Sequence, residues 1–247
     1  MPSSRPLARA LAIAAVLWVV VQGGSSAALQ NSLVTVTGVV ALARKGTTPL
    51  DASAVAVWLK PVGAPPAGRA PAVGAGGRFK IVQHHKRFDP HILVVPVGAF
   101  VEFPNLDPFF HNVFSLFDGK RFDLRLYEAG TSRGVTLNSP GPCYVFCNIH
   151  PDMSAVILVV DSPHYGTSNA SGEVSVPNVP PGRYLVSIWH ERYTPESPTE
   201  FPKTITVSQA SASLGTIRLV DSGRMPAEHK DKFGHDYAPP PKSPLYP

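Results

Sequence analysis

The chain has 247 residues, of which 44% are hydrophobic and 16% are charged, with 22 Lys and Arg against 17 Asp and Glu. This length allows one large or two small domains, and the low charged fraction argues against a disordered, solvating chain. Two cysteines cannot build a disulfide framework, and no apolar run reaches the ~18 residues of a membrane span, which excludes a disulfide-rich miniprotein and a multispanning membrane protein. No run of Lys and Arg indicates nucleic-acid binding, so we expect no nucleic-acid partner.

The N-terminus has the pattern of an export signal. Arg5 and Arg9 precede an unbroken apolar stretch over residues 11–21, and small residues then lead to Ala27 and Ala28. This order of charge, apolar run and small-residue site predicts a signal peptide that is cleaved after residue 27 or 28. We therefore expect a periplasmic or otherwise exported protein with no membrane span after cleavage. The alternatives are an uncleaved anchor and an N-terminal core helix.

The rest of the chain contains short runs rich in Val, Ile and Phe, which are separated by Gly, Pro and Asn. These runs predict strands over residues 33–42, 54–59, 78–82, 91–97, 100–103, 143–147, 155–160, 173–176, 184–189, 204–207 and 216–220. After the signal, no segment keeps apolar residues at helical spacing for three turns. The predicted fold class is therefore all-β, with strands arranged in sandwiches or barrels.

Two short stretches carry the candidate chemistry. The first, residues 103–115, contains His111, and the second, residues 147–153, reads Cys-Asn-Ile-His-Pro-Asp-Met. Two residues separate Cys147 from His150 and His150 from Met153, so one tight loop after a strand can bring all three beside His111. Two imidazoles, a thiolate and a weak axial thioether are the ligand set of a blue-copper electron-transfer site. The sequence therefore predicts one mononuclear copper site with these four ligands.

Each of these residues has a plainer interpretation when it is taken alone. His111 can be an exposed or hydrogen-bonded histidine, Met153 a core side chain, and Cys147 a buried thiol that packs like a small hydrophobic residue. Their conjunction at this spacing favours copper ligation. Cys143 lies ~13 Å from Cys147 along a strand at ~3.3 Å per residue, beyond the ~7 Å that a disulfide tolerates. We expect Cys143 to be an inward core residue.

Three other histidines are expected to add no ligand. His84 and His85 are adjacent, which places them on opposite faces of a strand, and His190 ends a strand, where we expect it at the surface. No nucleophile motif is evident, and a site with Met in the axial position leaves no open position for substrate. We therefore expect no catalytic residues and no enzymatic activity.

One segment resembles the cupredoxin family. The resemblance is carried by residues 98–103, by Asn105, Asp107 and residues 111–113, and by residues 141–147 with His150. The spacing of the ligand loop is similar to that of the short amicyanin-like members rather than the longer plastocyanin-like ones. The resemblance implies a Greek-key sandwich holding one type 1 copper, with the two histidines and Cys147 as equatorial ligands and Met153 as the axial one. It also implies that Asn112 ties the two ligand loops together.

A second segment resembles a carboxypeptidase-regulatory-like, or transthyretin-like, β-sandwich. Residues 169–184 carry a strand between two turns, with Gly172 at one and Pro181-Gly182 at the other. Residues 38–59 resemble the first half of such a module and residues 171–189 its second half. Because half a sandwich leaves an apolar sheet face uncovered, we expect strands 54–59 and 184–189 to pair, with the copper region inserted between them. The alternative is that residues 33–60 add strands to the copper sandwich.

These inferences give the following organisation. The chain is divided into a signal peptide (1–28), an N-terminal β segment with a Pro/Gly/Ala linker (29–77), a cupredoxin domain (78–161), a carboxypeptidase-regulatory-like sandwich (162–221) and a Pro-rich tail (222–247). The end of the tail favours an extended polyproline-type conformation. Its charges are mixed, and we assign it no binding role.

The leading hypothesis for function is an exported type 1 copper protein that carries single electrons between redox protein partners. The rival hypothesis is a cell-envelope module that binds copper for storage, delivery or sensing, with the second sandwich binding a protein or carbohydrate partner. The axial Met and the closed ligand set favour the first hypothesis. A colourless site, or copper that leaves readily to a chelator, would favour the second.

Overall fold

A computed structural model of the chain describes residues 33–43, 51–63, 78–116, 120–223 and 229–237. The predicted signal peptide and most of the Pro/Gly/Ala linker lie outside the described residues. Among the described residues, no helix is long and apolar enough to cross a membrane.

Eighteen strands and no helix make up the regular structure of this part of the chain, which confirms the predicted all-β class. The strands are β1 (Val34–Ala43), β2 (Ala56–Pro61), β3 (Phe79–Lys80), β4 (Val82–His84), β5 (Arg87–Asp89), β6 (Ile92–Pro96), β7 (Ala99–Pro104), β8 (His111–Ser115), β9 (Phe122–Tyr127), β10 (Ser132–Leu137), β11 (Gly141–Phe146), β12 (Ser154–Val160), β13 (Tyr165–Thr167), β14 (Glu173–Val179), β15 (Gly182–Trp189), β16 (Tyr193–Pro195), β17 (Lys203–Val207) and β18 (Ser213–Asp221).

Two four-stranded sheets are built from the two ends of the described chain. Their strand orders are β14-β1-β18-β16 and β13-β2-β15-β17. The predicted pairing is confirmed: β2 runs antiparallel to β15, with Leu59 opposite Val186 and Val57 opposite Ile188. The alternative, in which the N-terminal strands join the copper sandwich, is therefore wrong.

A common apolar core fills the space between these two sheets. In β1, Val34, Val36 and Val40 are buried while Thr35 and Thr37 are exposed, as the two-residue repeat of a half-buried strand requires. These valines share a core with Leu59 of β2 and with side chains near the other end of the described chain, Val176, Tyr184, Val186 and Ile217 among them. Residues on both sides of the segment 79–160 thus bury one another.

The intervening residues form a separate core. The sheets there have the orders β10-β7-β3 and β6-β12-β11-β8-β9, with β4 and β5 forming a two-stranded hairpin. Val101 and Phe103 of β7 share this core with Val145 of β11 and Ile157 of β12, all fully buried. Cys143 and Cys147 belong to the same core and are both free, which confirms that Cys143 points inward.

A third, smaller apolar cluster joins the two larger ones. Val94 of β6 and Leu158 and Val160 of β12 are buried against Ala56 of β2, with Trp58, Tyr165 and Trp189 packed around them. At the border of this cluster, the Lys60 ammonium lies 2.6 Å from the Asp161 carboxylate. The sheet that contains β6 and β12 therefore rests on β2, β13 and β15.

Close to that cluster in sequence, the His91 imidazole, just before β6, contacts Glu191, just after β15. His91 Nε2 lies 2.8 Å from a carboxylate oxygen of Glu191, and His91 Nδ1 lies 3.0 Å from the carbonyl oxygen of Ser154. The hydrogen bond to Glu191 raises the pKa of His91 above its ordinary value of 6.5, and the same bond lowers the pKa of Glu191 below 4.5. The bridge is therefore charged on both sides at mildly acidic pH.

We predict that this bridge stabilises the fold more at acidic than at basic pH. The raised pKa of His91 contributes stability below pH 6.5 that is lost as the pH rises through the folded-state pKa, whereas the lowered pKa of Glu191 contributes above pH 4.5. In urea unfolding, the coupling from a double-mutant cycle of His91→Gln and Glu191→Gln should be largest between these two values and should shrink toward about pH 9. A coupling that stays constant to that pH would contradict the prediction.

Two expectations for the remaining histidines are wrong. His85 adopts a positive φ of 55° at the β4–β5 turn, so its ring stacks on that of His84 with centroids 3.7 Å apart instead of pointing to the opposite face. His190 is partly buried and stacks on Tyr193 at 4.4 Å. A tight turn in one case and a neighbouring aromatic ring in the other override the alternation of an extended strand.

Candidate metal centre

The two predicted stretches meet in the core that contains Val101, Val145 and Ile157. His111 is the first residue of β8, and Cys147 directly follows β11. The loop after Cys147 is closed by its own backbone, because the Cys147 N–H donates to the Met153 carbonyl at 3.1 Å and the Met153 N–H donates to the His150 carbonyl at 3.2 Å. The spacing of two residues between Cys147, His150 and Met153 therefore folds into a tight turn.

Three of the four predicted ligands converge through their ligating atoms. Cys147 Sγ lies 3.8 Å from Nδ1 of His111 and 3.6 Å from Nδ1 of His150. The three atoms all lie within 4.8 Å of one another, and no other group of three such residues occurs in the part of the chain that the structure describes. His111 and Cys147 are fully buried, and His150 is partly exposed.

These separations fit a metal ion. With bonds of about 2.0–2.1 Å to nitrogen and 2.3 Å to sulfur, and bond angles between about 109° and 120°, a bound metal separates a nitrogen from a sulfur by about 3.6–3.8 Å. The two measured distances, 3.6 and 3.8 Å, have these values. The donor set therefore fits a soft or borderline transition metal.

The protonation of the imidazoles also suits metal binding. Burial lowers the pKa of His111, although Asp107 opposes the shift, and burial with the nearby His111 and Lys86 charges lowers the pKa of His150 to about 4. Both imidazoles are therefore neutral at pH 7. Burial raises the pKa of the Cys147 thiol, so binding of a metal must displace its proton.

A buried carboxylate fixes which nitrogen of His111 carries its proton. Asp107 Oδ2 accepts a hydrogen bond from His111 Nε2 at 2.7 Å and another from the backbone N–H of Lys86 at 2.9 Å, while Oδ1 accepts one from the N–H of His85 at 2.6 Å. Burial raises the pKa of Asp107, but these hydrogen bonds outweigh it and hold that pKa below its usual value. With Nε2–H directed at the carboxylate, the Nδ1 lone pair of His111 faces Cys147.

The sequence analysis assigned no role to Asp107. It appeared only among the residues that carry the resemblance. The signal that could have found it is the spacing of four residues to His111, with Asn105 nearby to shape the turn. Asn105 Oδ1 accepts from the Asp107 N–H at 3.1 Å, and its side-chain amide donates to the Phe109 carbonyl at 2.8 Å.

Asn112 reaches the cysteine loop by its backbone and not by its side chain. Against the burial that raises the pKa of the Cys147 thiol, the backbone N–H groups of Ile149, Asn112 and His150 lower that pKa. The side-chain amide of Asn112 donates instead to Oδ1 of Asp123 on β9, at 2.7 Å. The link between the ligand segments that the resemblance implied for Asn112 is therefore direct only through the main chain.

Met153 lies in the same core as Cys147 and is fully buried. Its backbone hydrogen bonds place it at the closing end of the ligand loop. Cys143 lies on β11, four residues before Cys147, and its Sγ contacts the Ser115 hydroxyl at 3.7 Å. Burial raises the pKa of the Cys143 thiol, in keeping with a core residue.

Aromatic and apolar residues lie near the two candidate imidazoles. The Phe109 ring packs against both imidazoles, with centroids 5.2 Å from that of His111 and 5.8 Å from that of His150. Phe110 and Ile149 nearby in sequence are exposed by 55% and 43%. Among the candidate ligands, His150 alone is open to solvent.

Comparison with known proteins finds similarity only in three-dimensional structure. No protein-family model and no curated protein matches the chain. A purple cupredoxin from Nitrosopumilus maritimus is 22% identical over 33% of this chain and 99% of its own, with a TM-score of 0.30. A reduced amicyanin variant is 20% identical over 35% of this chain and 85% of its own, with a TM-score of 0.33. A copper-containing nitrite reductase from Thermus scotoductus SA-01 is 25% identical over 39% of this chain, which spans only 25% of that enzyme, with a TM-score of 0.33.

Proposed function

We propose that this protein is a type 1 copper protein that carries single electrons between redox partners. The observation that supports this most directly is the convergence of the Cys147 sulfur and the Nδ1 atoms of His111 and His150 within 4.8 Å, with both imidazoles neutral. Copper bound there would exchange one electron between Cu(I), which the thiolate favours, and Cu(II), which the imidazoles favour. Ligands that already converge at these distances need little rearrangement when the charge of the site changes by one.

The burial of the candidate ligands supports electron transfer over catalysis. His111, Cys147 and Met153 are fully buried, so substrate has no approach to them, whereas the partly exposed ring of His150 offers a short path to a partner. The exposed apolar side chains of Phe110 and Ile149 beside it suit a transient, easily dehydrated contact. A copper storage or delivery function remains the second candidate, because a partly exposed ligand could also pass the ion itself.

The two sandwiches are proposed to be two domains. We propose a cupredoxin domain over residues 78–161 inserted into a carboxypeptidase-regulatory-like sandwich whose halves are residues 29–77 and 162–221. The shared core of β1, β2, β14, β15 and β18 supports this division. Export to the periplasm and cleavage after residue 27 or 28 are part of the same proposal and rest on the N-terminal sequence.

Optical and electron paramagnetic resonance spectra of the copper-loaded protein test the proposed function. We expect one copper per chain, an intense visible thiolate-to-copper band, and the small hyperfine splitting of a covalent copper–sulfur bond. A colourless protein with full copper occupancy would contradict electron transfer. Copper lost within minutes to a weak chelator would favour storage or delivery.

Met153 is proposed as the axial ligand, and its replacement should change the potential more than the copper content. We predict that Met153→Gln retains copper and lowers the reduction potential, because a harder oxygen donor stabilises Cu(II). Cyclic voltammetry of the wild type and the variant measures the shift, and Met153→Leu, which offers no donor, should shift the potential the other way. Equal potentials in all three proteins would remove Met153 from the ligand set.

A further inference from the structure

Residues 229–237, in the predicted Pro-rich tail, fold onto the candidate metal centre. The segment forms its own turn, in which Oδ1 of Asp231 accepts hydrogen bonds from the N–H groups of Phe233 and His235, at 2.9 and 2.8 Å. The Asp231 N–H donates to the His235 carbonyl at 2.9 Å. Sequence analysis assigned the tail no role, and these nine residues nevertheless contact the rest of the chain.

The first group of contacts is made with the cysteine loop. The Tyr237 hydroxyl donates to the Cys147 carbonyl at 2.7 Å, and the Lys232 N–H donates to Oδ1 of Asn148 at 2.9 Å. The His229 ring stacks on Phe146, the residue before Cys147, with centroids 4.0 Å apart. Residues 146, 147 and 148 are thus each contacted by a residue that lies 83 to 90 positions later in the sequence.

The single proton of the Tyr237 hydroxyl decides the direction of the hydrogen bonds around it. This proton is donated to the Cys147 carbonyl, so the contact of 3.1 Å with His229 Nδ1 requires the imidazole to donate. The contact of 3.3 Å between His229 Nδ1 and the Lys230 carbonyl requires the same protonated nitrogen. His229 therefore orients the hydroxyl of Tyr237 toward the cysteine.

The second group of contacts reaches the histidine segment. Lys232 Nζ donates to Oδ2 of Asp123 at 2.7 Å, and Oδ1 of the same carboxylate accepts from the side-chain amide of Asn112 at 2.7 Å. Burial raises the pKa of Asp123, but the hydrogen bond from Lys232 and its neighbours outweigh it and lower that pKa. Asn112 follows His111 directly. Lys232 therefore links Asn148 of one ligand segment to Asn112 of the other.

We propose that residues 229–237 act as a clamp on the metal centre, with Tyr237 and Lys232 as positioning residues. The proposal rests on the copper function proposed above. The Cys147 N–H is held by Met153 and its carbonyl by Tyr237, so the peptide units on both sides of the thiol are fixed by hydrogen bonds within the protein. Fixing both units limits the change in thiolate position when an electron is gained or lost.

Thiol modification of the metal-free, full-length protein tests the clamp without copper. Tyr237→Phe removes only the hydroxyl, and Lys232→Met removes the ion pair with Asp123 while keeping the chain length. We expect each variant to accelerate modification of Cys147 about fivefold, which corresponds to about 1 kcal/mol. Lys230→Met is the matched control, because the Lys230 ammonium pairs with the exposed Asp236 within the same segment, at 3.5 Å, and it should leave the rate unchanged.

Cys143 supplies an internal standard in the same experiment. It lies in the core away from the tail contacts, so its modification should stay slow in all variants while that of Cys147 rises. Equal acceleration of both thiols would indicate general loosening of the sandwich and would overturn the proposal. An unchanged Cys147 rate in both Tyr237→Phe and Lys232→Met would overturn it as well.

Copper-loaded protein separates this proposal from the proposed function. If the wild type has the intense visible band, both variants should shift the reduction potential or the band position, and should lose copper to a chelator faster than Lys230→Met. Wild-type spectra without the band would refute the electron-transfer function and leave the thiol result to decide on the clamp. A blue wild type with unshifted variants and unchanged thiol rates would refute the clamp alone.

Discussion

We expect the Cys147→Ser variant to lose the intense visible band completely when it is loaded with copper. The band requires a short bond between copper and a thiolate, and a serine hydroxyl is neither deprotonated at pH 7 nor soft enough to replace it. Both imidazoles would still offer Nδ1 lone pairs, so weakly coloured copper can remain. The measurement is the absorption spectrum together with copper analysis of the same sample.

Cys143→Ser is the matched control for this variant. Both cysteines are free and fully buried in the same core, and the chemical change is the same, but Cys143 Sγ contacts the Ser115 hydroxyl instead of the two imidazoles. The Cys143→Ser variant should keep the band at full intensity, and His111→Ala should change its position and intensity. A band that survives Cys147→Ser, or that disappears with Cys143→Ser, would contradict the assignment of the thiolate.

The strands that sequence analysis predicts are those that bury a continuous or alternating apolar face. All eleven predicted runs correspond to strands in the structure, because Val and Ile at these positions pack into one of the cores. Among the strands it missed, β8 is fully buried, but three of its five residues, His111, Asn112 and Ser115, are polar and break the apolar pattern. The strands β9 and β10 were missed for a different reason. The β9 sequence Phe-Asp-Leu-Arg-Leu-Tyr and the β10 sequence Ser-Arg-Gly-Val-Thr-Leu are mostly exposed or half-exposed, so their pairing depends on neighbours and not on an apolar pattern.

The pairing of β2 with β15 was predictable because each half-sandwich has an uncovered apolar face. Val57 and Leu59 on one strand and Val186 on the other have no cover within their own segments, and the sheet they form supplies it. The register of the pairing and the small cluster between the two sandwiches were not predictable. Both depend on bulky side chains such as Trp58 and Trp189 that meet only after folding.

The candidate ligands could be predicted because three of them lie close together in the sequence. The residues that hold these ligands in place could not be predicted. Cys147, His150 and Met153 lie within one turn, and the only distant partner is His111. Tyr237 contacts Cys147 across 90 residues, and nothing near either residue in the sequence indicates the contact. A hydrogen bond between residues so far apart produces no periodic pattern in the sequence.

Asp107 should be the most sensitive support of the site, and its removal should cost both stability and metal binding. Asp107→Ala leaves three donors without their acceptor, namely His111 Nε2–H and the backbone N–H groups of His85 and Lys86. Because buried donors without partners cost about 1–3 kcal/mol each and water can reach some of them, we expect a loss of about 3 kcal/mol in urea unfolding of the metal-free protein. Asp107→Asn keeps one acceptor oxygen and should lose less.

The same two variants should change the copper chemistry in a defined direction. A carboxylate on Nε2–H makes His111 a stronger donor through Nδ1, so a neutral partner weakens Cu(II) binding by about tenfold or more and raises the reduction potential. Asp152→Ala is the control, because Asp152 is an exposed carboxylate in the ligand loop next to Met153, whereas Asp107 is hydrogen-bonded to His111 directly. If Asp152→Ala shifts the potential as far as Asp107→Asn does, the effect is one of net charge and the hydrogen bond to His111 does not tune the site. If Asp107→Ala unfolds at the urea concentration of the wild type, the three donors find other partners and the carboxylate is not a structural support.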